Sequence, residues 1–219
     1  MSLSIFLIDE ICFLSLFLAS KINYKKKIRM SLNYNEGVNF EKQDYTQNQL
    51  PKGDYENCTF LNCDFSSSNL TGINFINCEF KHCNLSLAKL NQASFRNVNF
   101  EHCKLLGLHF EYCNDFLFEV NFENCMLNLS SFYKLKMKKA KFIHCEMNEV
   151  DFTNTDLSGA FFDECDLMNS TFEQTNLEKA DLRSARHFSI DPELNKIKKA
   201  KVSHATIAGF LHKYDLIIE

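Results

Sequence analysis

An all-β solenoid with four-sided turns is the fold class this sequence predicts, on three observations. Bulky apolar residues recur at every fifth position from Tyr45 to Leu182, small residues keep the same time two places earlier, and residue types return at intervals of twenty.

The beat runs through Tyr45, Leu50, Tyr55, Phe60, Phe65, Leu70, Phe75 and onward to Phe110, slips by two positions, and resumes at Leu117, Phe122, Leu127 and so on to Leu182. Cys58, Cys63, Ser68, Cys78, Cys83, Ala88, Ala93 and Val98 are among the small partners. A step of five turns an α-helix by about 500°, so these residues would spiral around it instead of forming a stripe. On a flat strand an odd step sends successive residues to opposite faces. The chain therefore bends once per repeat, with the large and the small residue inward and the other three facing water or making the corner.

Cys63, Cys83 and Cys103 recur at twenty residues, as do Cys125, Cys145 and Cys165, and Phe132, Phe152 and Phe172. Twenty is four fives, so each coil has four sides. Stacked at the ~4.8 Å spacing of hydrogen-bonded strands, about seven coils make a rod on the order of 33 Å long.

Stretches such as Cys58-Thr59-Phe60-Leu61-Asn62, Ala160-Phe161-Phe162-Asp163-Glu164 and Ala180-Asp181-Leu182-Arg183-Ser184 resemble the pentapeptide-repeat family, over about residues 40–219. The resemblance implies a right-handed quadrilateral β-helix. The chain then divides into a non-repeat extension (1–29), an irregular first coil (30–54), a β-helix (55–187) with a register break at 111–121, and a partial last coil with a C-terminal cap (188–219).

Taken in order, residues 1–29 lie off the beat. Ile5 to Ala19 is apolar apart from Asp9 and Glu10, and Lys21, Lys25, Lys26, Lys27 and Arg29 follow. A secretory signal carries its positive charge before the apolar run, and Ile11 to Ala19 is too short to span a bilayer. Met30-Ser31-Leu32 repeats Met1-Ser2-Leu3, which points to a start at Met30 after an upstream extension or tail; a membrane anchor is the rival reading. In the first coil Gln43 and Asn48 take the small-residue places, which suits the partly polar end a solenoid needs.

Of ten cysteines, all but Cys12 fall on the small inward position, where reduced thiols pack as small apolar residues. A reducing, cytoplasmic location follows. His82-Cys83, His102-Cys103 and His144-Cys145 do not make a metal site, because within each pair the cysteine points in and the histidine out.

At the slip, Asp115 stands where a large apolar residue is due and Phe116-Leu117-Phe118 follow directly, so two extra residues form a bulge or short loop around Asn114, Asp115 and Phe116. Beyond it, Lys134, Lys136, Lys138, Lys139 and Lys141 make a basic knot. Then come ten acids against Lys179 alone: Glu146, Glu149, Asp151, Asp156, Asp163, Glu164, Asp166, Glu173, Glu178 and Asp181, all outward on the beat. A net charge of −4 argues against a simple basic nucleic-acid binder.

After Leu182, Asp191 reads as the cap of a turn or helix start at Pro192, and Ala200-Lys201-Val202 and Ala205-Thr206-Ile207 resume the register. Phe210, Leu211 and Tyr214 form one side of a short helix, and Leu216-Ile217-Ile218 a terminal strand. This tail caps the rod, with or without pairing two chains.

Catalytic motifs are lacking: the sequence holds no glycine-rich phosphate loop, no H-E-x-x-H and no G-x-S-x-G, and calls for no cofactor. Within the family the chain is similar in character to the Qnr-type quinolone-resistance proteins. That resemblance implies a non-enzymatic DNA mimic that binds DNA gyrase or topoisomerase IV and modulates or protects it from fluoroquinolones. Glu146, Glu149, Asp151, Asp156, Asp163, Glu164, Asp166 and Glu173 would bind the partner, and Asn114, Asp115 and Phe116 would tune the contact, unless the slip is purely structural. Phe210, Leu211, Tyr214 and Ile217 would build a homodimer, with no direct nucleic-acid or membrane contact. The alternative is an interaction scaffold with another protein partner, whose acids serve solubility.

Overall fold

The computed structural model of the chain describes residues 33–217. The compact unit Asn35–Glu219 carries the fold. The extension at 1–29, Cys12 and Ile218 lie outside the described residues.

The unit Asn35–Glu219 is a coil of parallel strands. One side of the coil carries β1 (Asn33–Glu36), β3 (Gly53–Glu56), β5 (Asn74–Ile76) and β7 (Ser94–Arg96). The next side carries a seven-stranded sheet: β2 (Asn39–Glu41), β4 (Thr59–Leu61), β6 (Glu79–Lys81), β8 (Val98–Glu101), β9 (Val120–Glu123), β10 (Lys141–Ile143) and β11 (Phe161–Asp163). The third side is held by single parallel bridges such as Met126↔Glu146↔Asp166, and the fourth by His109↔Ser131↔Asp151↔Thr171. Beyond the slip the first side continues the same way, Lys136↔Asp156↔Asn176↔Lys196. Phe60 faces Phe80 across β4 and β6, so the twenty-residue period is the hydrogen-bond register itself.

Corners are made by the residue two places after each buried centre. Asn57, Asn62, Asn77, His82, His102 and Lys139 all adopt the left-handed conformation, and the amide of each corner donates to the coil above, as from Asn57 to Ile76 O at 2.9 Å. Asparagine tolerates this conformation best among residues with a side chain, which explains its frequency there. Gly107 takes one of these left-handed corners at φ 62°.

Inside, side chains of one kind stack. Phe40, Phe60, Phe80, Phe100, Phe122, Phe142 and Phe162 form one column with ring centres 4.7 to 5.4 Å apart. Phe110, Phe132, Phe152 and Phe172 form a second, meeting the first edge-on. Nine described cysteines are free and buried. Their thiols donate to main-chain carbonyls, Cys83 to Phe60 O and Cys103 to Phe80 O, each at 3.3 Å. Burial pushes the Cys78 thiol up to about 12, so it stays protonated.

Two expectations are corrected. Leu117 does not resume the beat: it is 63% exposed at a left-handed φ, and Phe118 turns inward, 7% exposed, with its ring edge-on to Phe110. Leu117 takes the left-handed corner, which leaves Phe118 to pack on Phe110. Register then returns through Val120 and Phe122, which pair with Val98 and Phe100. At the end of the chain no α-helix forms over Phe210 to Tyr214 and no strand over Leu216 and Ile217. Two 3-10 turns, Ile207–Phe210 and His212–Tyr214, take their place. Gly209 is pressed against Phe188, leaving no room for a regular helix face. Nor does Asp191 start a helix; its Oδ1 accepts the Glu193 amide at 2.8 Å in a turn.

Candidate protein-binding surfaces

The acidic residues do not share one face. Glu146 and Asp166 stand on the third side, Asp151 and Glu173 on the fourth, and Glu149 on the corner between them. Glu164 sits on the corner before the third side. Asp163 belongs to β11 on the second side and Asp156 to the first, so the coil carries these two away from the rest.

Their partners differ as well. Glu164 meets His144 at 3.2 Å, Asp166 meets His187 at 2.9 Å and Asp156 meets Lys138 at 3.5 Å. Partial burial pushes the Asp156 carboxyl up, but the hydrogen bonds from Ser158 and the charge of Lys138 outweigh it and hold the group below its ordinary value. By contrast Glu146, Glu149, Asp151, Asp163 and Glu173 have no ion-pair partner among the described residues. On the third and fourth sides the only lysine or arginine between Met126 and Glu173 is Lys134, exposed at the corner that ends the fourth side. Acids outnumber cations there.

The slip forms an apolar knuckle between the fourth and first sides. Asn114 Oδ1 accepts the Phe116 amide at 3.0 Å and the Phe118 amide reaches Asp115 O at 3.3 Å, which closes the loop. Tyr112, Phe116 and Leu117 are each more than half exposed. Arg96 lies over the Phe116 ring at 5.5 Å, with its buried Nε unpaired. Tyr112, Leu117 and Arg96 escaped the periodicity argument, because a count of spacings does not say which of three adjacent apolar residues turns out.

In the C-terminal turns Phe210 alone of the expected residues is buried, edge-on to Phe188 at 5.4 Å. Leu211 is half-buried, while Tyr214 and Ile217 are exposed. Lys213 holds the turns down by reaching Asp191 at 2.8 Å and Glu193 at 2.7 Å. No helix among the described residues is long and apolar enough to cross a membrane.

By class, then, the described chain is a four-sided parallel β-solenoid with a packed interior and its charged groups on the outer surface. A model described as the pentapeptide repeat region matches residues 53–115 and 116–207, and the chain belongs to the pentapeptide-repeat family. The two matched stretches meet inside the knuckle. Similar solved structures include a trypsin-treated variant of QnrB1, a plasmid-mediated fluoroquinolone resistance protein, at 18% identity and TM-score 0.56 over 83% of this chain and 99% of that one. Full-length QnrB1 gives 19% and 0.52 over 84% and 100%. HetL, a pentapeptide repeat protein involved in heterocyst differentiation regulation in Nostoc, gives 16% and 0.39 over 77% and 86%. No curated protein sequence matches the chain.

Proposed function

We propose that the chain is a non-catalytic protein that binds a type II topoisomerase, DNA gyrase or topoisomerase IV, through an acidic surface that stands in for duplex DNA. The observation that carries this reading is the convergence of Glu146, Glu149, Asp151, Asp166 and Glu173 on two adjoining sides, where Glu146, Glu149, Asp151 and Glu173 have no ion-pair partner among the described residues. Carboxylates stacked at strand spacing on a slender coil present a dense line of negative charge, as a phosphate backbone does. QnrB1 is a fluoroquinolone resistance protein by name, which tells us which enzymes to assay first.

Supercoiling by gyrase and decatenation by topoisomerase IV, each with and without ciprofloxacin, form the test. We expect salt-sensitive binding and relief of the drug's inhibition. Reversing Glu146, Asp151, Asp166 and Glu173 to lysine abolishes both while leaving thermal unfolding intact. No effect on either enzyme at micromolar protein removes the reading. The second reading, a scaffold for a different protein, is favoured by Asp156 and Asp163, which spread charge to the remaining sides as solubility alone requires.

The same proposal includes a homodimer through the exposed C-terminal residues. Sedimentation of the full chain checks it, and a monomer at all concentrations disposes of it.

A further inference from the structure

The basic knot at 136–141 has a twin. Lys136-Met137-Lys138-Lys139-Ala140-Lys141 and Lys196-Ile197-Lys198-Lys199-Ala200-Lys201 carry lysines in the same order. The fold places them in the same register. Lys136 connects to Lys196 through Asp156 and Asn176, and Lys141 connects to Lys201 through Phe161 and Asp181. At the corner Lys139 bonds to Ser158, Gly159 to Glu178, and Lys179 to Lys198. Two matching lysine quartets therefore stand on one edge of the coil, diagonally opposite the acidic corner at Glu149. Their separation is three coil spacings, about 14 Å at ~4.8 Å each.

All eight lysines are exposed. Only Lys138 and Lys201 have ion-pair partners among the described residues, Asp156 and Asp181, each at 3.5 Å. Between the quartets stand Asp156 and Glu178, with the exposed Lys179 at the corner, while Asp181 is buried and paired with Arg183 and Lys201.

We infer that this edge binds the phosphates of a nucleic-acid duplex, one quartet on each strand, with the coils between them facing a groove. The spacing is comparable to the roughly 12 Å width of the major groove, and the intervening acids then face base edges and water, not phosphate. Lysine supplies mobile point charges without the planar fork that reads guanine, so the contact positions a duplex without selecting its sequence. This inference is independent of topoisomerase binding, which uses the opposite corner.

The test is fluorescence anisotropy of the full chain with a labelled duplex of about two helical turns, from ~50 to ~200 mM salt. Affinity should fall linearly with salt on logarithmic axes. Reversing either quartet to glutamate should weaken binding by about tenfold or more at low salt and lower the slope by about 2 to 4. Reversing Lys89 and Lys104, exposed lysines on the other two sides, should change neither. Thermal unfolding confirms that each variant is folded. Absence of binding by the folded protein at low salt overturns the inference, and so does equal loss in the Lys89 and Lys104 control. Quartet reversal that abolishes self-association in sedimentation without touching duplex binding overturns it too, and assigns the edge to a second copy.

Discussion

Leucine at a left-handed corner is a local cost that the coil absorbs. Leu129 sits at φ 62° with its side chain mostly in water, so it has the strain without the burial. Left-handed backbone costs a residue with a Cβ roughly 1–2 kcal/mol, and asparagine least. Leu129→Asn is expected to stabilise the protein by about 0.5–1 kcal/mol, read as a higher denaturant midpoint. Asp181 shows the opposite economy. Its carboxylate accepts two bonds from Arg183, at 2.9 and 2.8 Å, with Lys201 at 3.5 Å. The Arg183 bonds are the main cause that holds its pKa below the ordinary 3.8. A lowered carboxyl stabilises the fold at pH above its unfolded value, and that contribution fades as pH falls through the folded value. Asp181→Asn should therefore cost about 1–2 kcal/mol at neutral pH, with the gap to the parent closing below the ordinary carboxylate value. Parallel melts across acid pH check this.

At the level of the element, the knuckle is where periodicity stops being decisive. Buried centres, thiol positions and stacked columns were legible because each place repeats and each error would expose a Phe. Leu117 and Phe118 occur once, so no repeat chooses between them. Deleting Asp115 and Phe116 restores a regular coil, and Leu117 should then turn inward while Phe118 faces water. The variant is expected to fold, with Leu117 amide exchange slowed; if the knuckle touches the partner, binding weakens without loss of stability. The tail was less legible for a different reason. Its apolar residues suit a helix face, but contact of Gly209 with Phe188 fixes tight turns instead. The acids were legible as outward residues, yet only the coil's order shows that Asp156 and Asp163 leave the others.

Over the whole molecule, stability is a sum of neighbouring layers. Phe152 touches Phe132 below at 5.4 Å and Phe172 above at 5.0 Å, and is fully buried. Phe152→Ala should cost about 3–5 kcal/mol by opening a cavity in two interfaces at once, seen in equilibrium unfolding. Such a loss harms every surface alike, which separates it from charge reversals that spare the melt.

The surplus coil also governs how the protein can be cut and rebuilt. On either side of it, layers are interchangeable parts of twenty residues, as Phe60 to Phe80 and Phe142 to Phe162 show. Across it, Phe100 pairs with Phe122, and the part is twenty-two residues long. A chimaera or truncation spliced there by the usual unit would rotate every later side chain two places, turning lysines and glutamates into the interior and aromatic rings out to solvent.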